Sequence, residues 1–465
     1  MAIECSYYLE DVNTENLPQR FLEAFAAILS HSNYAMVLET ASRVTARCGR
    51  CSSSCPVYQA SGDQRDIPCI RSELLLKVYR RYFTARGALW ARLAAAFEID
   101  EAYINKIAEE FYRCTACRRC KFECPMGIDH GMITHLGRWI LAEVGIVPKA
   151  LVVATREQLE GKTNNTSAIP KAALIDTCEF LEEDCEDELN LKIKFPIDVE
   201  GTEYVFFAAV SDFLMEPDTL MGNAAIMTAT EGSWTIGTGF YDGINYGLFY
   251  SDRMLDRIVS KEAAEVKRLG AKKIMIGECG HASRSAKAFV RTFCGADDAP
   301  EVVNCMEYTL EAWKSGKLKL KKGAIKERTT YHDPCNISRS GWIIDQPREL
   351  LRHICADFVD MTPNGKYNYC CGGGSGTVSI DEIREFRTKV GGKTKAEQIR
   401  QTGAHYLVSP CANCKKQLAE VCEDNELPDV KVVGLHDLLL LALIPPEHMI
   451  AHEAESSEEA VGVSP

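Results

Sequence analysis

The chain has 465 residues, a formal net charge of −13 and an apolar content of 46%. That length exceeds one ordinary core, so two or three domains are expected, and the acidic balance argues against nucleic acid as a partner, because phosphate binding needs a cationic surface. The outlier is cysteine, with 21 residues; the N-terminal MAIECSYYLEDVNTENLPQR lacks the basic flank and apolar stretch of a secretory signal, so a cytoplasmic chain with metal-bound thiols is expected rather than a disulfide framework.

Residues 1–45 read as an N-terminal helical extension, with apolar periodicity through RFLEAFAAILSH. Residues 46–155 form the next unit: two cysteine motifs separated by helices expected over 72–97 and 101–112. The basic residues Arg71, Lys77, Arg80, Arg81, Arg86 and Arg92 in that stretch read as a solvated helix face, with docking of an acidic electron-transfer partner as the alternative.

The second motif, Cys114-x2-Cys117-x2-Cys120-x3-Cys124-Pro125, has the spacing of a bacterial two-cluster ferredoxin. Closely spaced thiolates on a tight loop each reach one iron of a cube, and the last cysteine crosses to a second cube. Zinc would instead need four thiolates in two CxxC-like pairs. The first motif, Cys48-x2-Cys51-x3-Cys55-Pro56, matches three of four positions, and Thr45 stands where another cysteine is expected. In the crossed arrangement Cys114, Cys117, Cys120 and Cys55 hold one [4Fe–4S] cluster, while Cys48, Cys51 and Cys124 leave the other a ligand short. Cys69, in DIPCIRSE, either supplies it or is a buried structural thiol beside an atypical cluster.

Residues 156–201 change character: GKTNNTS reads as a loop, EFLEEDCEDELN as a surface-lying acidic run, and the whole as a linker. Beyond it, apolar runs at 204–210, 272–277 and 405–409 alternate with helices expected over 252–269 and 380–401, which implies α/β structure. There is an internal repeat: RLGAKKIMIGECGHA (268–282) parallels QTGAHYLVSPCANC (401–414), and INYG (244–247) parallels NYCCGG (368–373). Two halves, 202–320 and 321–446, are therefore expected, then an acidic, disordered tail at 447–465. No apolar run reaches the roughly 18 residues needed to span a bilayer. Cys5, Cys178, Cys185, Cys294, Cys305, Cys355 and Cys422 fall outside the motifs and read as small buried apolar residues.

Only the second half is rich in cysteine: Cys335, the adjacent pair Cys370-Cys371 followed by Gly372, and Cys411-x2-Cys414. A vicinal redox pair, or a zinc site on Cys370, Cys371, Cys411 and Cys414, uses similar residues, yet neither accounts for Cys335 in its His-Asp-Pro-Cys setting. The pattern resembles the CCG motif of heterodisulfide reductase catalytic subunits. Across 44–444 the layout is similar to the D subunit of that family and to its relatives in sulfate-reducing microbes, the DsrK and TmcB subunits of membrane redox complexes.

The resemblance implies an α+β multidomain fold, a helical two-[4Fe–4S] ferredoxin-like domain followed by a pseudo-duplicated α/β CCG pair. It implies that the five cysteines hold a noncubane [4Fe–4S] cluster at which a disulfide, or the trisulfide of a small sulfur-carrier protein, is reduced. It further implies a haem-b-type membrane subunit or another donor subunit as partner, the chain having no span of its own. The first half is degenerate: FAAVSDF, YDGINYG and GECGHA occupy the equivalent slots and leave only Cys279. Cys279 and His281 would then face the cleft, where the histidine serves as proton donor near neutral pH or, equally, caps the turn at Glu278 or packs in the core. Similar proteins also act as electron relays for lactate, glycerol-3-phosphate or acyl-CoA complexes, with no substrate chemistry of their own.

Overall fold

The computed structural model describes residues 7–45, 47–93 and 97–451; Cys5 and the acidic tail after Ala451 lie outside the described residues. Among the described residues the N-terminal part is built of helices, with one isolated bridge between Tyr8 and Ile146. Leu17, Phe21, Phe25 and Ile28 recur at spacings of three and four and line the buried face of helix Leu17–Leu29. Helix Pro68–Tyr82 buries Arg71, Ser72, Leu75, Leu76 and Tyr79 by the same periodicity. These faces meet helices Glu101–Tyr112 and His130–Glu143 in a core of their own. Among the described residues no single helix is long and apolar enough to cross a membrane; the pair Leu17–Leu29 and Ser32–Val44 passes only jointly and is bent by 107°.

The remainder carries eight short strands: β1 Tyr204–Phe207, β2 Trp234–Thr235, β3 Lys273–Ile276, β4 Glu301–Asn304, β5 Thr329–Tyr331, β6 Phe358–Asp360, β7 Tyr406–Val408 and β8 Lys431–Val433. They form two four-stranded sheets, in the orders β2-β1-β3-β4 and β6-β5-β7-β8. Every pairing is parallel; the central strands β1, β3 and β7 are largely apolar and buried, as sheets covered on both faces require, while β5 is buried but carries Thr329 and Thr330. In each sheet the strand order reverses between the two central strands, which opens a crevice at their carboxyl ends. His332–Cys335 follow β5 and Ser409–Cys414 follow β7; Ala208–Phe213 follow β1 and Gly277–His281 follow β3. The loops after β3 and β7 turn alike, Cys279 N–H donating to Gly277 O (2.8 Å) and Cys411 N–H to Ser409 O (2.7 Å). Each cysteine then caps a helix, Gly280–Cys294 or Ala412–Asp424.

Three expectations are corrected. The stretch 156–201 is not a free linker, because Lys171–Leu189 is a helix whose Leu174, Cys178, Leu181 and Cys185 join the same core as β1 and β3; its acidity lies on the other face. The helix expected over 72–97 is two, Pro68–Tyr82 and Ala85–Leu93. The helix expected over 380–401 is broken into short turns, a π-helical stretch Arg387–Gly391 and a helix Lys393–Thr402. Gln417 Nε2 donates to the Arg387 carbonyl (2.9 Å) and so takes over one backbone acceptor of the irregular turn.

Candidate metal centres

The spacing of Cys114, Cys117 and Cys120 puts them on one loop, and the fold brings Cys55 to it: all four line a single cavity with Arg71 and His130. Backbone N–H groups point at these sulfurs, Ala116 N lying 3.3 Å from Cys114 Sγ. Arg71 is not on a solvated face. It is buried, 3.3 Å from Asp66, and its Nε has no partner. Asp66 also takes two bonds from Arg113, at 2.7 and 2.6 Å. Packed thiols with a buried guanidinium among them are the surroundings an anionic iron–sulfur cluster needs. With Arg71 buried, Arg80 tied to Glu73 and Arg81 to the Phe97 carbonyl, the basic stretch is not one continuous face; the side chain of Arg92 lies outside the described residues.

In the first motif the structure brings Cys51 against Cys69, thiol to thiol, with Cys120 in the same buried group. Cys69 sits in the first turn of Pro68–Tyr82 and accepts backbone N–H bonds from Gly49, Cys69 and Ile70; with S–H donation from Cys51 as the main cause, its thiol is held below the usual range. Cys48 is exposed and Cys124 half-buried.

The five cysteines of the second half converge. Cys335 contacts Cys370, Cys370 contacts its neighbour Cys371, Cys371 Sγ lies 3.5 Å from Cys414 Sγ, and Cys414 contacts Cys411. Cys370 also meets Cys117 of the N-terminal part, so the two cysteine sites share a wall. S–H donation from Cys370 and from Cys414 holds Cys371 and Cys411, respectively, below the usual thiol range. Gly372 N–H lies 3.4 Å from Cys370 Sγ and Gly280 N–H 3.3 Å from Cys411 Sγ. A tetrahedral zinc takes four donors; five soft sulfurs fed by N–H donors suit an iron–sulfur cluster better.

Glycines beside a cysteine pair let backbone approach sulfur, yet the tightest constraints on this run lie elsewhere. Gly372 has φ +102°, and an added Cβ would stand 2.5 Å from Arg387 O, while one at Gly374 would stand 2.4 Å from Thr115 O. The run is pressed between the cysteine pair and the N-terminal domain, and Gly373 and Gly374 edge a cavity beside the quintet.

That cavity is lined by Cys335, Cys371, Cys411 and Cys414 together with His281, Asn413 and Phe249. His281 therefore reaches the cleft, whereas Cys279 lies behind it, its sulfur 3.4 Å from His281 Nδ1. Tyr246 and Phe249 pack on the imidazole. The ring is thus packed in the core, and burial pushes His281 down to about 3. It does not cap Glu278, because His436 Nδ1 (2.7 Å) and the N–H groups of Leu435 and His436 occupy that carboxylate.

Several partners are not legible in the sequence as site residues. Arg138 bridges Cys114 O (2.7 Å) and Ser375 O (3.0 Å), Arg119 bridges Ser54 O and Tyr367 O, and Arg339 reaches Cys117 O (3.1 Å) and Asn368 O. Each ties a cysteine loop of the N-terminal part to the second half. Arg71 alone leaves a signal, since it falls on the apolar period of its helix. Lys395 is fully buried, and desolvation lowers it to about 7.

Two family models match: "4Fe-4S dicluster domain" over residues 46–128 and "Cysteine-rich domain" (CCG) over 329–419. Among curated proteins, the chain is 27% identical to Hdr-like menaquinol oxidoreductase iron-sulfur subunit 2 of Archaeoglobus fulgidus, over 92% of this chain and 84% of that protein. It is 24% identical to the D subunit of the dihydromethanophenazine:CoB–CoM heterodisulfide reductase of Methanosarcina barkeri, over 85% and 93%. It is 23% identical to the EtfAB:quinone oxidoreductase of Syntrophomonas wolfei, over 85% of this chain and 57% of that protein.

Proposed function

Because the chain is an iron–sulfur protein of the heterodisulfide reductase D-subunit type, we propose that it is the oxidoreductase subunit in which electrons from a donor subunit reach the sulfur of a disulfide or trisulfide. In this reading Cys55, Cys114, Cys117 and Cys120 hold one [4Fe–4S] cluster and Cys48, Cys51, Cys69 and Cys124 the other. Cys335, Cys370, Cys371, Cys411 and Cys414 hold a noncubane [4Fe–4S] cluster. Bound there, the clusters supply one-electron storage and, at the quintet, soft iron for a substrate sulfur.

The observation that carries the reading is the meeting of five thiols from three separate loops beside one lined cavity. The chain's own residues do the rest. Cys117 against Cys370 keeps the two thiol sites adjacent. Phe249, Gly373 and Gly374 wall the cavity beside the quintet. His281, which lines the cavity, offers a ring N–H to a departing thiolate. The matching strand orders of the two sheets and the parallel turns at Cys279 and Cys411 support reading 202–320 as a degenerate copy of 321–446. A haem-b-type membrane subunit or another donor would supply the electrons, and a small sulfur-carrier protein is the macromolecular substrate of this reading.

A relay without substrate chemistry is the second reading, favoured by relatives whose names are those of quinol and quinone oxidoreductases. One experiment separates them. The anaerobically reconstituted chain should hold more iron than two cubes require, give a low-temperature EPR signal sensitive to added thiol, and reduce a disulfide or trisulfide with a low-potential dye. Iron equal to two cubes removes the quintet cluster, and full iron without dye-linked reduction leaves the relay.

A further inference from the structure

His332 lies between β5 and Cys335 and is 1% exposed. Its two ring nitrogens have different neighbours. Asn368 Nδ2 stands 3.3 Å from His332 Nδ1. The orientation of that amide is fixed by what surrounds it: Asn368 Nδ2 also donates to the Asp333 carbonyl at 3.0 Å, and Asn368 Oδ1 accepts from Lys395 Nζ at 2.6 Å. Lys395 Nζ is in turn anchored on Gln398 Oε1 at 2.6 Å. An amide nitrogen donates and does not accept, so Nδ1 of the imidazole is the acceptor and Nε2 carries the proton. That Nε2–H is buried with no oxygen or nitrogen partner. What the imidazole does have is sulfur: one of its ring nitrogens and the sulfurs of Cys371 and Cys414 lie within 4.8 Å of one another, and the side chain of His332 is paired with that of Cys371.

A buried N–H without an acceptor is costly and rare. Four buried side chains, Gln398, Lys395, Asn368 and His332, thus relay one polarity toward the cysteine quintet and present a hydrogen to it. We propose that His332 is a positioning residue whose Nε2–H donates to the sulfur of Cys371, and that Asn368 and Lys395 set the tautomer that makes it a donor. The inference rests on the proposed function, in which the quintet holds a cluster. A donor to a cluster sulfur stabilises the more negative, reduced state, so it raises the reduction potential. The same tautomer excludes His332 as an iron ligand, because its free nitrogen carries a proton where a ligand needs a lone pair.

The test uses the full chain, reconstituted anaerobically, as wild type, His332→Leu and His332→Gln. Each protein is assayed for iron, and the quintet signal is followed in an EPR redox titration. Leu removes the donor and Gln keeps an N–H at similar reach. The expectation is equal iron in all three. For His332→Leu the reduced-to-oxidised ratio at fixed potential should fall about tenfold, the effect of one hydrogen bond to a charged group, which is about 59 mV for a one-electron couple. His332→Gln should recover most of it. An unchanged potential in His332→Leu overturns the proposal, as does His332→Gln behaving like Leu. Wild type labelled with nitrogen-15 histidine keeps the test independent of how the variants fold: a weak nitrogen coupling is expected, and either a strong one, the mark of an iron ligand, or none at all overturns it. Wild type holding only the iron of two cubes would sink the quintet itself, an outcome distinct from a normal cluster that ignores residue 332.

Discussion

The loop that delivers His332 and Cys335 to the quintet is held by Arg348, and removing that arginine is the most exacting test of the site's architecture. Arg348 clamps Asp333 with two parallel bonds of 2.7 Å and reaches Asp360 with Nε at 2.8 Å. Asp333 is 1% and Arg348 3% exposed. Fork-on-fork pairing of this kind is stronger than a neutral bond and fixes direction as well as distance. Arg348→Leu leaves the Asp333 carboxylate buried with the Gly365 N–H (2.8 Å) as its remaining donor. Breaking a buried pair from one side costs about 3–5 kcal/mol, a fall in the folded-to-unfolded ratio of roughly 10² to 10³ or more. The control is Lys314→Ala, whose partner Glu349 lies 2.5 Å away with both side chains well exposed; such a pair is worth at most about 1 kcal/mol. Urea midpoints of the full chain, with iron content after reconstitution, are the assay. Arg348→Leu should show the larger shift and should lose the quintet's iron while keeping that of the N-terminal cysteines. A shift no larger than that of Lys314→Ala would refute the anchoring argument.

Cys69→Ser should lower iron by the equivalent of one disturbed cube and alter one cubane EPR signal, whereas a purely structural Cys69 would leave both unchanged. Gly374→Ala should destabilise the chain by about 1–3 kcal/mol in thermal unfolding, the usual cost of overpacking, because its Cβ would stand 2.4 Å from the Thr115 carbonyl and backbone yields poorly. Asp242 is pushed up to about 6 by burial, against bonds from Thr166, Ile244 and Val210. A folded value above the unfolded one near 4 means stability that is full below pH 4 and lost as pH rises through 6, about 3 kcal/mol in all. Asp242→Asn should flatten that part of the stability profile, and an unchanged slope would show that another group sets it.

The legible parts of this protein are those written in local period and spacing. Three of the central strands are readable as short apolar runs, and the cysteine spacings name the residues that meet. What escapes is settled by packing at long range. In Lys171–Leu189 the positions Leu174, Cys178, Leu181 and Cys185 follow helical spacing, but the acid-rich face between them outweighs that stripe and suggests a linker. The break in 380–401 is hidden because Gly391 and Gly392 look tolerable in a helix; only the approach of Gly372 and Val421 to them makes the irregular turn necessary. A free histidine titrates near neutrality, which makes His281 look like a physiological acid. The two aromatic rings that pack on it and bury it are not visible in the string Glu-Cys-Gly-His.

The two crevices explain why five sulfurs, and no fewer loops, are needed. A parallel sheet with one order reversal offers two loops at its switch point, here those after β5 and β7, and these supply Cys335, Cys411 and Cys414. The vicinal pair must come from a third segment, 365–376, which has no strand to hold it. It is held by side chains of both parts: within the second half Asp333 takes the Gly365 N–H and the Asn368 amide, and Lys395 donates to Asn368, while Arg138 on Ser375, Arg119 on Tyr367 and Arg339 on Asn368 are tied at their other ends to the loops of Cys114, Ser54 and Cys117. These ties to the N-terminal part run beside the contact of Cys117 with Cys370. The contacts that fix the cysteine pair thus lie beside the one that sets the two thiol sites against each other, so the position of the pair and the adjacency of the two sites have one structural cause.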